Sequence, residues 1–150
     1  MTIAEIYYAD DDLDDLEIFE EAVKQLTSEE NLQINLHTYM DGERLLQSVR
    51  SHRNPGMLVF LDINMPEKNG YDILREIRAD KHVCTLPVIM FSTSSNAQTI
   101  KTCYDYGASL YTTKPGNFNE LKKVIRQIMQ IDWKTFRHEN YDLFSALRRA

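Results

Sequence analysis

The sequence predicts an α/β fold in which five parallel strands, each followed by a helix, form one doubly wound sheet. Apolar runs alternate five times with segments of helical period along the 150 residues. Such alternation implies right-handed crossovers and a parallel sheet with helices on both faces. Three runs, IYYA, MLVFL and VIMF, are continuously apolar, which is typical of strands buried on both faces. The length fits one domain.

The apolar runs define the predicted strands. They are Ile3–Ala9, Leu32–Tyr39, Met57–Leu61, Pro87–Phe91 and Ser109–Thr113. The first helix is predicted from Leu13 to Leu26, after the first strand. Apolar residues recur there every three or four positions and form one stripe. The fifth helix is predicted in NFNELKKVIRQIMQ on the same grounds.

The remaining helices are predicted from their end signals as well as their period. Asp41 is expected to cap the second helix, and Gly70 to precede the third. Ser95, with Gln98 three residues later, forms a capping-box pattern for the fourth helix. Gly107 is a natural stop for that helix.

Composition excludes several classes of function. A net charge of −6 argues against unaided binding to nucleic acid or to an anionic membrane. Cys84 and Cys103 have no metal-ligand spacing and do not indicate a secreted disulfide framework. The first residues lack the basic region of a signal peptide, and no apolar run is long enough to span a membrane. We therefore expect a cytoplasmic protein.

Polar residues follow four of the predicted strands. Asp10 and Asp11 follow the first, Asp62 the third, Ser92 ends the fourth and Lys114 follows the fifth. Ligands of open α/β sheets bind at this edge. Clustered carboxylates raise each other's pKa unless a cation joins them, and all-oxygen ligands suit Mg²⁺. A carboxylate flanked by an ammonium and a hydroxyl could form an aspartyl phosphate.

Four motifs occur in order at these strand ends: ADDD, LDINMPEKNG, LPVIMFSTS and GASLYTTKP. With them, the sequence from about Thr2 to Ile131 resembles the receiver domain of two-component response regulators, of the stand-alone chemotaxis-regulator class. The resemblance implies a flavodoxin-like (βα)5 fold with strand order 2-1-3-4-5. It implies a receiver domain over residues 1–131 and leaves a C-terminal extension, residues 132–150, which we expect to be helical.

The resemblance also implies a phosphorylation site that depends on a metal ion. Asp62 matches the phosphate-accepting aspartate. Asp10, Asp11 and Asp62 match the carboxylates that hold Mg²⁺, and Asn64 matches the residue that offers its backbone carbonyl to the ion.

Other positions match residues that respond to phosphorylation. Ser92 and Lys114 match the hydroxyl and the lysine that contact the phosphoryl group, and Tyr111 matches the aromatic residue that switches with Ser92. Pro115 matches a proline whose preceding peptide bond is usually cis in the family, so the resemblance implies a cis bond between Lys114 and Pro115, and X–Pro is the one peptide bond for which cis is readily accessible. Gly116 departs from the family, in which a bulky apolar residue is common.

The implied function is phosphoryl transfer from a sensor histidine kinase or a histidine phosphotransfer protein to Asp62. The domain would catalyse only its own phosphorylation and dephosphorylation, without turnover as an enzyme, and would signal by contact with an unknown downstream protein. One alternative is a phosphorylation-independent scaffold, which usually lacks an acid or the lysine. Another is a hydrolase, which usually carries an acid at the position of Asn64.

Several residues have structural interpretations beside functional ones. Asp12 is better explained as a helix cap than as a metal ligand. Asp14 and Asp15 are expected on a solvated helix face, or on a face that a partner reads. The extension, with Trp133 and Phe136, is expected either to pack on the domain as an added helix or to form a homodimer surface.

Overall fold

A computed structural model describes residues 3–52 and 56–136, and it confirms the predicted sheet. All strand pairs are parallel, in the order β2-β1-β3-β4-β5. The strands are β1 Ile3–Ala9, β2 Gln33–Tyr39, β3 Met57–Leu61, β4 Val88–Ser92 and β5 Leu110–Thr113. The helices are α1 Leu13–Glu30, α2 Gly42–Ser51, α3 Gly70–Ala79, α4 Ala97–Asp105 and α5 Phe118–Met129.

Two apolar cores cover the two faces of the sheet. One core joins the sheet to α2, α3 and α4, and the other joins it to α1 and α5. Consecutive residues of β1 alternate between them, so that Tyr7 belongs to the first core and Tyr8 to the second. In the second core the Tyr8 ring packs against Phe19, Phe60 and Phe91 in tilted and edge-to-face contacts, with ring centroids 4.6–6.4 Å apart. The sheet is therefore a rigid platform whose edge residues have little freedom.

Side-chain caps begin the helices close to the predicted positions. Asp41 accepts a hydrogen bond from the backbone of α2, as predicted, and Asp12 does so for α1. The prediction of Ser95 as the cap of α4 was wrong by one residue. Asn96 accepts from the N–H groups of the next turn, because an Asn side chain is a strong acceptor at that position. Gly107, with φ of +94°, follows the end of α4.

The chain after α5 turns back onto the α1–α5 face. Trp133 and Phe136 are half-buried against the core of that face, with their ring centroids 4.9 Å apart. The rest of the C-terminal extension, including the predicted last helix and homodimer surface, lies outside the described residues, so both stay predictions. Among the helices that the structure describes, none is long and apolar enough to cross a membrane.

Candidate functional site

Backbone hydrogen bonds bring the predicted site residues to one edge of the sheet. The N–H of Asp62 donates to the carbonyl of Ala9, 3.0 Å away, which aligns the end of β3 with the end of β1. The N–H of Lys114 donates to the carbonyl of Ser92 over 2.7 Å, which aligns β5 with β4. Because these strands are parallel neighbours, the side chains that follow them face one common space.

The acidic residues form a cluster that could hold a metal ion. One carboxylate oxygen from each of Asp10, Asp11 and Asp62 lies within 4.8 Å of the others. Asp10 is fully buried, Asp62 is 6% exposed and Asp11 is exposed. Their oxygens suit a hard divalent cation, and the exposed Asp11 leaves the cluster open to solvent on one side. The residues present therefore fit a partly hydrated divalent ion.

Lys114 lies inside the acidic cluster, with a side chain that is only 11% exposed. Its Nζ is 2.6 Å from Asp10 Oδ2, 2.8 Å from Asp15 Oδ2 and 3.4 Å from Asp62 Oδ1. Burial opposes the charged form, but the hydrogen bonds to Asp10 and Asp15 outweigh it and raise the pKa of Lys114. One permanent positive charge thus faces three carboxylates, with Asp11 as a fourth nearby.

Asp10 is held by the protein at both of its oxygens. The hydroxyl of Tyr8 donates to Oδ2 over 2.6 Å, and the backbone N–H of Asp12 donates to Oδ1 over 3.0 Å. Burial and the neighbouring Asp10 raise the pKa of Tyr8, so its hydroxyl keeps its proton and remains a donor. With Lys114 also on Oδ2, three protein donors hold the Asp10 carboxyl group in place at the buried side of the site.

Asp62 is poorly suited to carry its charge without a cation. Burial and the charge of Asp10 raise its pKa to about 6, although Lys114 acts in the opposite direction. Two or more carboxylates in one partly buried space cannot all ionise at low cost. A divalent ion in the cluster would restore the ionised, nucleophilic form of Asp62.

Ser92 and Tyr111 meet at the loop after β4. Ser92 is 1% exposed, and its Oγ accepts a hydrogen bond from the N–H of Ser94 over 3.3 Å. Tyr111 is fully buried, and its hydroxyl donates to the carbonyl of Ser94. Burial raises the pKa of Tyr111, so the hydroxyl stays a donor. The backbone N–H and carbonyl of Ser94 thus contact the two predicted switch residues, one each.

Gly70 allows the start of α3 to approach the peptide of Asp62. A Cβ at this position would lie 2.3 Å from the Asp62 carbonyl oxygen, closer than any real contact allows. The N–H of Gly70 also donates to the carbonyl of Ile63 over 2.8 Å. The backbone that carries Asp62 is therefore fixed against the first turn of α3.

One prediction at the site was wrong, and another stays a prediction. The Lys114–Pro115 bond is trans, not cis. The trans form of an X–Pro bond is favoured by a small margin unless packing selects cis. Gly116, the next residue, lies in an open part of the loop: its chain neighbours aside, no described residue lies within 4 Å of a Cβ built on it. Asn64 lies exposed in the turn after β3, and its carbonyl remains a predicted ligand.

Sequence reasoning missed two residues that contact the site. Asp15 reaches Lys114, and Tyr8 reaches Asp10. For both Asp15 and Tyr8, the position in the sequence gave an indication that the side chain lies near the site. Asp15 lies in the first turn of α1, the helix that begins directly after the strand end that carries Asp10 and Asp11. Tyr8 is two residues before Asp10 along β1, a spacing that directs both side chains to the same face of the sheet.

A five-stranded parallel sheet of this order, with acids, a hydroxyl and a lysine at its carboxyl edge, defines a receiver-type α/β domain. The family model of the response regulator receiver domain matches residues 12–126, and the chain belongs to that family. It is therefore a receiver domain of two-component signalling.

Particular relatives agree with this assignment. The chain is similar to the response regulator Rcp1 of Synechocystis, with 28% identity over 125 residues, 82% of this chain and 84% of Rcp1. The chain spans only 61% and 59% of two other curated relatives, FilR2 of Methanothrix harundinacea and ORR13 of rice.

Solved structures show the same fold. The phosphorylated cyanobacterial phytochrome response regulator RcpA has a TM-score of 0.73 and 27% identity, covering 91% of this chain and 97% of that one. The Mn²⁺-bound form of Rcp1 has a TM-score of 0.71 and 26% identity, covering 89% and 97%.

Proposed function

We propose that this domain accepts a phosphoryl group on Asp62 from a sensor histidine kinase or a histidine phosphotransfer protein. The step depends on Mg²⁺, and the signal passes in the cytoplasm to a downstream protein by direct contact. One observation carries the proposal: Asp62 shares a partly buried space with Asp10, Asp11 and the ammonium of Lys114. A nucleophile, metal-binding oxygens and a fixed cation are together what phosphoryl transfer to a carboxylate requires.

Mg²⁺ would be held by Asp11 and Asp62, with the Asn64 carbonyl as a further ligand. Both oxygens of Asp10 already accept hydrogen bonds from the protein, so Asp10 would stabilise the ion from a neighbouring position and not as a direct ligand. The ion, when bound, neutralises negative charge on the phosphoryl oxygens. The Mn²⁺-bound form of the relative Rcp1 supports a divalent ion here.

The transfer itself uses the side chains of the chain. A carboxylate oxygen of Asp62 attacks phosphorus while the bond from phosphorus to the donor nitrogen breaks, and the donor imidazole leaves with the electron pair. Lys114 neutralises a phosphoryl oxygen, and the Ser92 hydroxyl donates to another. Attack by water later reverses the modification. The domain thus catalyses its own phosphorylation and loss of phosphoryl, without multiple turnover of a substrate.

A phosphoryl group adds a charge of about −1.5 to −2 at neutral pH, which draws Ser92 and Lys114 towards Asp62. Because Ser92 and Tyr111 both contact the backbone of Ser94, movement of Ser92 also displaces the contact of Tyr111. The surface of α4, β5 and α5 then changes, which biases a two-state equilibrium. With a net charge of −6, the domain is better suited to a protein partner than to nucleic acid or an anionic membrane.

Acetyl phosphate with Mg²⁺ tests this function, with covalent phosphate measured by intact-mass spectrometry. We expect the wild type to be phosphorylated and Asp62→Asn to show no acyl phosphate, because an amide is not a nucleophile. Asp12→Asn is the matched control, since it makes the same chemical change at a cap that Asn also serves. No uptake by the wild type would favour the scaffold alternative, and sustained release of phosphate would favour the hydrolase.

A further inference from the structure

Asp15 contacts the same ammonium that the proposed mechanism assigns to the phosphoryl group. Its Oδ2 is 2.8 Å from Lys114 Nζ, whereas the nearest oxygen of Asp62 is 3.4 Å away. The Asp15 side chain is 31% exposed, so water weakens the contact without removing it. In the described structure Lys114 is therefore bound to Asp15 and Asp10 more closely than to the phosphate acceptor.

The first turn of α1 fixes Asp15 in this position. Asp12 caps the helix, and its carbonyl accepts the N–H of Leu16 over 3.1 Å. Leu16 is buried in the core between α1 and the sheet. Because Asp12 and Leu16 anchor the first turn, the backbone of Asp15 is held in place, and only rotation of its own side chain could follow the ammonium towards Asp62.

We propose that Asp15 is a positioning residue that retains Lys114 away from Asp62 and thereby limits the lifetime of the phosphorylated state. This inference rests on the proposed function of Asp62. An ammonium that engages a phosphoryl group on Asp62 must lengthen or break its contact with Asp15. The Asp15 carboxylate, which shares the Lys114 ammonium with Asp62, would also repel the phosphoryl oxygens. Both effects make the phosphorylated state less stable than it would be with a neutral residue at position 15.

The probe is beryllofluoride, BeF₃⁻, which binds an aspartate non-covalently as a phosphoryl mimic. Its affinity is measured by titration in the presence of Mg²⁺ for the wild type, Asp15→Asn and Asp14→Asn. Asp14→Asn is the matched control, because Asp14 is exposed, lies in the same helical turn and loses the same charge. Autodephosphorylation after loading with acetyl phosphate is followed in the same three proteins.

We expect Asp15→Asn to bind BeF₃⁻ about three- to fivefold more tightly and to lose phosphoryl more slowly by a similar factor, the range of one partly exposed ion pair. Asp14→Asn should stay within about twofold of the wild type, as expected for a surface charge of this kind. Asp15→Ala is a second variant, included in case the amide of Asp15→Asn destabilises the first turn of α1. We expect it to change BeF₃⁻ affinity and phosphoryl loss in the same direction. The ¹⁵N resonance of the Lys114 ammonium in the metal-free domain should shift in Asp15→Asn and not in Asp14→Asn, which a purely structural role of Asp15 does not predict.

Two results would overturn the inference while the proposed function stands. They are equal behaviour of Asp15→Asn and Asp14→Asn, and weaker binding of BeF₃⁻ by Asp15→Asn, each with a wild type that binds the probe and is phosphorylated. A wild type that neither binds BeF₃⁻ nor accepts phosphoryl would overturn the proposed function itself, and the inference with it.

Discussion

Two lysines connect the fifth βα unit to α1, and they differ in the charge that surrounds them. The side chains of Lys114 and Lys122 are both 11% exposed. Lys122 Nζ lies 2.7 Å from Glu29 Oε2, on a side chain that is 54% exposed, and 3.1 Å from the neutral Gln25. Lys114 instead faces Asp10, Asp15 and Asp62, whose side chains are 0%, 31% and 9% exposed.

This difference shows that burial of a lysine does not by itself mark a functional site. In the pair of Lys122 and Glu29, one positive charge faces one negative charge, and the Glu29 side chain is exposed to water. This pair is sufficient to join α5 to α1. The group around Lys114 has an excess of buried negative charge, which the protein alone does not neutralise. Such an excess is stabilised only when further cations arrive, so it indicates a site for a metal ion and for a reaction.

Replacing each lysine by Met should separate the two roles most clearly. Lys114→Met leaves the buried Asp10 without its cation, so we expect a loss of about 3 kcal/mol in the free energy of unfolding without metal. It should also lower phosphoryl uptake by about 100-fold or more, the scale of lost electrostatic stabilisation. Lys122→Met should lower the free energy of unfolding by about 1 kcal/mol or less and should leave phosphoryl uptake unchanged. Urea unfolding and acetyl phosphate labelling check both; equal losses in the two variants would contradict the comparison.

Magnesium should stabilise the domain through the Lys114 cluster and not through the Lys122 pair. At a concentration 100 times its dissociation constant, a ligand specific for the folded state adds about 2.7 kcal/mol. Lys122→Met should retain this gain in a thermal melt, and Asp11→Ala should lose most of it. We also expect metal-free Asp11→Ala to be at least as stable as the wild type, because one repelling carboxylate is gone. A clear loss of stability in that variant would instead assign Asp11 a structural role.

The pH dependence of metal-free stability should show the same excess of negative charge. The folded-state pKa of Asp62 is about 6, against 3.8 for the free side chain. A raised pKa means that folding favours the protonated form. The contribution of Asp62 is therefore greatest below pH 4 and is lost as the pH rises to about 6.

Over that interval we expect the wild type to lose about 1–2 kcal/mol relative to Asp62→Asn, after allowance for water at the open side of the cluster. Urea unfolding in EDTA from pH 4 to 7 measures the difference. Parallel curves for the two proteins would contradict the raised pKa.

The smallest expected effect concerns Tyr8. Tyr8→Phe removes only the hydroxyl that donates to Asp10, which keeps its bonds from Lys114 and Asp12, so we expect a loss of about 1 kcal/mol. Tyr7→Phe is the control, because the Tyr7 hydroxyl makes no hydrogen bond to the residues that the structure describes. Denaturant unfolding of both variants checks the difference. If Tyr7→Phe is destabilised as much, packing and not the bond to Asp10 explains the loss.

The sequence predicted the sheet and the edge where the site lies, because apolar runs and strand-end residues carry that information locally, whereas the strand order came from the resemblance to receiver domains. It did not identify the contact of Asp15 with Lys114, which are 99 positions apart in the chain. The first turn of a helix attracts acids in any case, so Asp15 had an adequate local explanation. Tyr8 was likewise accounted for by its place in a buried strand. Contacts of this kind depend on side-chain direction in the folded state.

The tight contact at Gly70 has a consequence for which sequences can encode this domain. Every substitution at position 70 should destabilise the fold, whatever the size or polarity of the new side chain. Even a methyl group would lie 2.3 Å from the Asp62 carbonyl oxygen. Position 116, two residues after Lys114, has no described residue other than its chain neighbours within 4 Å of a Cβ and should accept most residues. Among homologues of this chain, we therefore expect the residue at position 116 to vary and the residue at position 70 to remain glycine.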